Sequence, residues 1–224
     1  QKQKHGKMPK EPVLVKTIVT VDLAERIAEH YGVETRNVLT GFKYIGEQIG
    51  LLEKAGEEKR YLFGFEESYG YLTGTYVRDK DGVDGAVMIC EMFSFYAARG
   101  IRLTDQLAKL YERYGYCRNT LHSYQFEGSA GFAKMQGIMA AFRQGITGFG
   151  GKAVEKMLDY SAGLEGLPKA DVLKFYLDGG TTLVVRPSGT EPKLKLYLSV
   201  TAKDEAEAAG IEQAILNDAE VYFR

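Results

Sequence analysis

Clusters of cysteine and histidine that could hold a metal are missing from this 224-residue chain. Its two cysteines, Cys90 and Cys117, stand far apart with no metal-type spacing and read as buried free thiols in a reducing compartment. The three histidines, His5, His30 and His122, are scattered and read as surface residues. Cys117 and His122 are separated by an odd number of positions, so an extended segment puts them on opposite faces and excludes a nucleophilic pair. No apolar run approaches the ~18 residues a membrane helix needs. The opening Gln1-Lys2-Gln3-Lys4-His5 is no signal peptide, and it lacks an initiator methionine, which points to a piece of something longer. Charge of one sign is missing too: 29 Lys and Arg nearly balance 30 Asp and Glu. That balance argues against nucleic-acid and membrane partners, and any anion site has to be local. A cytoplasmic protein is the expectation.

What is present reads as two domains. Pro12 precedes Val13 to Val19, a β-branched run expected as a buried strand, and Asp22 is expected to cap a helix ending near Tyr31. A short strand near Val38 leads to a helix with Phe42, Ile45, Ile49 and Leu52 at helical spacing, then a strand over Tyr61–Phe65. A strongly apolar helix follows from Val83 to about Arg99. Strand–helix alternation predicts an α/β domain with a mixed, partly parallel sheet over residues 1–115. After Gly115 the texture changes. An extended edge strand over Arg118–Phe126, a helix to Arg143, a hairpin around Asp178-Gly179-Gly180, a strand from Lys193 and a terminal helix predict an α+β domain with an antiparallel sheet over residues 116–224.

Two loops carry the chemistry. In Arg186-Pro187-Ser188-Gly189-Thr190-Glu191-Pro192, between two apolar runs, Arg186 offers a planar fork of donors, and Ser188 and Thr190 offer hydroxyls. Gly189 lets backbone N–H groups approach a ligand, so the loop suits a phosphate. The plain alternative is a β-turn with an arginine for solubility. The second loop is Glu66-Glu67-Ser68-Tyr69-Gly70, past the carboxyl end of a strand, where open α/β sheets place ligands. Its carboxylates and hydroxyl suit sugar hydroxyls, with Gly70 permitting unusual backbone angles; the alternative is a solvated acidic turn. Downstream, Asp79-Lys80-Asp81-Gly82-Val83-Asp84 fails as a calcium loop, because Val83 and Cys90 fall where ligands are required. A helix N-terminus is the simpler reading, with Lys80 in front of it as a proton donor or phosphate contact.

Taken together, Val15-Lys16-Thr17-Ile18-Val19-Thr20, Gly41-Phe42-Lys43-Tyr44-Ile45-Gly46-Glu47, Glu66-Glu67-Ser68, Arg78-Asp79-Lys80-Asp81-Gly82 and the Arg186–Pro192 loop resemble the C-terminal half of an α-D-phosphohexomutase, the phosphoglucomutase/phosphomannomutase family. The resemblance implies domain 3, incomplete at its N-terminus, followed by domain 4 of a four-domain isomerase. In that family a phosphoserine, assisted by Mg²⁺, interconverts hexose 1-phosphate and 6-phosphate through a bisphosphate such as glucose 1,6-bisphosphate. Carried over by motif, Glu66 and Ser68 bind sugar hydroxyls, Arg186, Ser188, Gly189 and Thr190 clamp a phosphate, and Lys80 assists acid–base chemistry. The family's Ser-His-Asn-Pro nucleophile motif and its Asp-Gly-Asp-x-Asp metal motif are absent, so no metal ligands are assigned and the chain is expected to be inactive without the parent's N-terminal domains. The alternatives are a stand-alone sugar-phosphate-binding module, or the same half of a phosphomannomutase or phosphopentomutase.

Overall fold

The β-branched run after Pro12 forms β1 (Val13–Thr17), the strand around which the first of two sheets is ordered in a computed structural model of the chain. The structure describes residues 2–164 and 166–223, and contacts divide it into two units, Gln1–Tyr114 and Gly115–Arg224. In the first unit β1 leads through α1 (Leu23–His30) to β2 (Glu34–Val38), then through α2 (Phe42–Lys54) to β3 (Tyr61–Glu66). Both helical connections return the chain in the same direction, so β1 pairs in parallel with β2 and with β3. A tight turn then reverses it into β4 (Gly70–Leu72), antiparallel to β3, and the sheet order is β2-β1-β3-β4.

The helical spacing seen in the sequence is realised in α2, where Phe42, Ile45, Ile49 and Leu52 are all buried. They share the core with Val13, Val15 and Val38, and burial of each such side chain contributes about 1.5–3 kcal/mol. Asp22 stands at the start of α1 but makes no capping bond. Its carboxylate meets Lys16 instead, whose fully buried ammonium lies 3.3 Å from Asp22 and 2.8 Å from Glu25. A buried charge demands partners more strongly than a helix end open to water does.

The apolar helix after Gly82 is α3 (Gly82–Ala97), followed by α4 (Leu103–Tyr114). Asp81 caps α3, accepting from the backbone N–H of Val83 at 2.8 Å and of Asp84 at 3.0 Å. Despite its composition, α3 leaves Val83, Val87, Ile89 and Phe93 exposed. Cys90 is exposed on the same helix, contrary to the buried thiol expected; Cys117 is buried.

The second unit begins with β5 (Tyr116–Gln125) and α5 (Gly128–Arg143), continues through β6 (Gly148–Phe149), β7 (Lys152–Asp159), β8 (Leu173–Leu177), β9 (Thr181–Pro187) and β10 (Lys193–Ala202), and ends in α6 (Glu205–Phe223). Its sheet is antiparallel throughout, in the order β5-β10-β9-β8-β7-β6, with β5 at the edge as its composition suggests. Gly179 and Gly180 turn β8 into β9 with φ values of 78° and 74°, angles that disfavour any side chain. Alternation places Leu183, Val185, Leu194 and Leu196 on the face covered by Met139 and Phe142 of α5 and by Ile215 and Phe223 of α6. Cys117 and His122 lie on opposite faces of β5: the thiol meets Ser199, and the imidazole meets Glu212.

Candidate functional site

In the first unit, β3 ends by placing Glu66 at the carboxyl edge of the sheet. Its carboxylate is only 4% exposed and accepts a 2.7 Å hydrogen bond from the Lys80 ammonium, which is 52% exposed. That bond is the main reason that the Lys80 ammonium holds its proton more firmly than an ordinary lysine. Lys80 is delivered by the loop between β4 and α3, and the loop is fastened at several points. Tyr76 donates to Asp81 at 2.8 Å, and the bond pushes its phenol up to about 12. The Arg78 guanidinium reaches Glu53 of α2 at 2.6 Å. The Arg78 carbonyl sits so close to α2 that a Cβ on Gly46 would lie 2.1 Å from it. Only glycine permits that approach.

Glu67, next in sequence, points elsewhere. It accepts from the hydroxyls of Thr17 at 3.1 Å and Thr20 at 3.4 Å, which also bond to each other at 2.7 Å. Thr17 ends β1, the parallel neighbour of β3, so both strands deliver their last residues to the same edge. Both threonines lie in the Val15–Thr20 motif, but the sequence assigns neither a role. The signal that could have found them is their position at the carboxyl end of a strand, the edge at which ligands bind in such sheets. Ser68 is exposed beside them. The unusual backbone angle falls on Tyr69, at φ 62°, and not on Gly70 as expected. Gly70 serves by lacking a side chain, since a Cβ there would lie 2.7 Å from the Glu66 carboxylate oxygen Oε1.

In the second unit, β9 runs one residue beyond Arg186, to Pro187, before the loop leads into β10. The Ser188 N–H donates to the Lys193 carbonyl at 2.8 Å, closing the loop at its base. Inside it, Gly189 faces open space, with nothing within 4 Å of the position its Cβ would take. Thr190 is exposed, and Arg186 and Ser188 are half-buried. Lys193 pairs with Glu191 at 2.8 Å. Among the described residues Arg186 has no ion pair, so its donors are uncommitted.

Carboxylates near Lys80 do not fit a Mg²⁺ site. Asp79 accepts from the Lys80 N–H, Asp81 caps α3, and both oxygens of Asp84 accept from Thr73. Among the described residues no group of three or more His, Cys, Asp or Glu side chains is placed to hold a metal ion. No helix is long and apolar enough to cross a membrane among these residues.

Comparison with known proteins assigns both units. A family model described as phosphoglucomutase/phosphomannomutase, alpha/beta/alpha domain III, matches residues 1–114, and one described as the C-terminal domain of the same family matches residues 127–217. A phosphoglucomutase of Staphylococcus epidermidis is 37% identical over 222 residues, covering 92% of this chain and 39% of its own length. One of Staphylococcus saprophyticus is 36% identical over 203 residues, covering 85% of this chain and 36% of its own length. The chain therefore spans well under half of the relatives it matches. Among solved structures, parafusin, a phosphoglucomutase from Paramecium, superposes with a TM-score of 0.65 at 19% identity, over 93% of this chain and 36% of its own. A phosphoglucomutase/phosphomannomutase family protein from Burkholderia thailandensis gives 0.60 at 15% identity, over 99% of this chain and 40% of its own. These two likenesses concern the fold alone. The matches to both domain models, in order and over nearly the whole length, make this chain a member of the phosphoglucomutase/phosphomannomutase family, corresponding to its domain III and its C-terminal domain.

Proposed function

We propose that this chain is the sugar- and phosphate-binding half of an enzyme that interconverts hexose 1-phosphate and hexose 6-phosphate through a phosphoserine and a bisphosphate intermediate. Residues 1–115 act as the sugar-binding domain and 116–224 as the phosphate-binding domain. A substrate that binds in two opposite orientations needs contacts that look alike from either end. Glu66 and Ser68, on one turn, can take two neighbouring hydroxyls in either pose. Arg186, Ser188, Thr190 and the backbone at Gly189 can grip an ester phosphate without reading which carbon carries it, at about 1.5–3 kcal/mol for each charge-assisted contact. Lys80, held cationic against Glu66, neutralises charge at the sugar loop on this reading, and acid–base assistance by Lys80 requires that it first give up that bond, which holds its proton firmly. The observation that carries the reading is the Arg186 guanidinium, uncommitted among the described residues, beside a loop whose glycine faces open space.

The nucleophilic serine and the Mg²⁺ ligands belong to other parts of the parent polypeptide on this reading, and glucose 1,6-bisphosphate is its intermediate. Two features support a larger parent: the coverage of the relatives, and the exposed apolar side chains of α3, which suit a face that further domains cover. The test is a coupled assay for glucose 6-phosphate from glucose 1-phosphate, run on this chain and on the full-length polypeptide. Turnover by the full-length protein alone is the expected result. Turnover by this chain overturns the claim that it is half a machine, and a full-length protein that prefers mannose or pentose phosphates moves the assignment to those substrates.

A further inference from the structure

We infer that β5, at the open edge of the second sheet, pairs antiparallel with the β5 of a second copy of this chain, centred on Leu121. The surface lies outside the two loops that carry the sugar-phosphate chemistry, and its role stands or falls separately from theirs.

A strand at the edge of a sheet presents unpaired N–H and C=O groups, a ready template for another strand. Short length, charged side chains, proline and bulges are the usual means of blunting it. The other three edges of this molecule are blunted in these ways: β2 carries Glu34 and Arg36, β4 has three residues, and β6 has two. By contrast β5 is ten residues long and pairs with β10 in unbroken register from Tyr116 to Gln125. It contains neither proline nor lysine. Among the described residues no strand pairs with its outer side.

The ladder identifies the free groups. The Phe126 N–H donates to the Pro192 carbonyl on the β10 side at 2.8 Å. Residues of an antiparallel strand alternate between bonding a given neighbour and turning away from it. The even-numbered residues from Tyr116 to Tyr124 therefore bond to β10, and the odd-numbered ones from Cys117 to Gln125 turn N–H and C=O outward. Asn119, Leu121, Ser123 and Gln125 also have exposed side chains, and Leu121 is 49% exposed.

Symmetry decides which partner this edge fits. In a two-fold contact the same patch must complement itself, and outward-turned residues must meet outward-turned residues. The register centred on Leu121 sets that side chain against its own copy, an apolar contact between two leucines that are otherwise half in water. Asn119 then meets Ser123, and on the other face Arg118 meets Tyr124 and Thr120 meets His122. No like charges are directly opposed, which is the condition for a favourable cross-strand set. A shift of two residues one way sets Arg118 against His122, and the other way sets His122 against its own copy. An unrelated strand would find the same backbone groups, but this edge supplies its own complement of side chains.

The experiment is sedimentation velocity on the full-length polypeptide over a range of concentrations. A reversible dimer is expected. Leu121→Lys and Leu121→Asp should each weaken it by about tenfold or more, since each opposes like charges at the two-fold. An equimolar mixture of the two variants should restore the dimer, because lysine then faces aspartate. Ser123→Pro removes an outward N–H without touching the bonds to β10 and should weaken the dimer as well. Unchanged circular dichroism checks that each variant folds. A protein that stays monomeric at every concentration overturns the inference. So does a dimer that Leu121→Lys and Ser123→Pro leave intact, since its contact lies on another face. If the single variants are monomeric and their mixture stays so, the pairing centred on Leu121 is wrong.

Discussion

The Lys80 ammonium lies 2.7 Å from the Glu66 carboxylate, a pair in which the acid is nearly buried and the base stands half in water. Removing the base strands a carboxylate that water reaches poorly. Lys80→Met is therefore expected to destabilise the first unit by about 1 kcal/mol, less than the ~3–5 kcal/mol of a fully buried pair because solvent already screens Lys80. Chemical denaturation of Lys80→Met, Glu66→Gln and the double variant checks this. The double variant is expected to be more stable than the sum of the single losses, and strict additivity would show that the pair carries no coupling.

Gly46 makes room for the loop that carries Lys80. Gly46→Ala puts a methyl group into the Arg78 carbonyl, and overpacking of this kind costs about 1–3 kcal/mol. The melting temperature should fall, and turnover by the full-length polypeptide should fall with it because Lys80 is displaced. Gly50→Ala, on the same helix with nothing within 4 Å of the added carbon, is the control and should be neutral or stabilising.

Thr17 and Thr20 hold Glu67 and through it the turn that presents Glu66 and Ser68. Replacing both by valine should raise KM for glucose 1-phosphate in the full-length polypeptide by roughly tenfold, the equivalent of about 1.4 kcal/mol, with a smaller change in kcat. Serine at both positions should restore it. A KM unmoved by the valines would mean that the turn keeps its shape without them.

Glu212 is one acid-sensitive point of the second unit, alongside Asp159 and Glu191. It accepts from Arg118 at 2.5 Å and meets His122 at 2.9 Å. Burial pushes its carboxyl up, but the bonds from Thr120, Arg118 and His122 outweigh burial and hold it below 4.5. The folded state then binds fewer protons than the unfolded one, so this stabilisation is complete above pH 4.5 and is lost as pH falls through the folded value. Glu212→Gln should lower the melting temperature at pH 7 and flatten its fall between about pH 5 and pH 3. An acid limb of unchanged slope would assign the acid sensitivity to other groups.

Periodicity and turn chemistry make most of the fold legible in the sequence. The spacing of Phe42, Ile45, Ile49 and Leu52, the Asp178-Gly179-Gly180 turn and the alternation through Lys193–Leu198 each announce local structure, because a helix or a hairpin is decided by neighbours in the chain. The two loops were legible for a similar reason: their residue types are chemically specific and contiguous. What only the tertiary structure decided involves partners distant in sequence. Asp22 had the residue type of a cap, yet the buried Lys16 claims its carboxylate. Gly70 had the type of a turn glycine, yet the strained angle went to Tyr69 while Gly70 made space for Glu66. Lys80 met Glu66, and Thr17 and Thr20 met Glu67, through pairings of strands and loops that no short window of sequence contains. Residue chemistry is written locally, but the charge that each group faces is set by whatever the fold brings beside it.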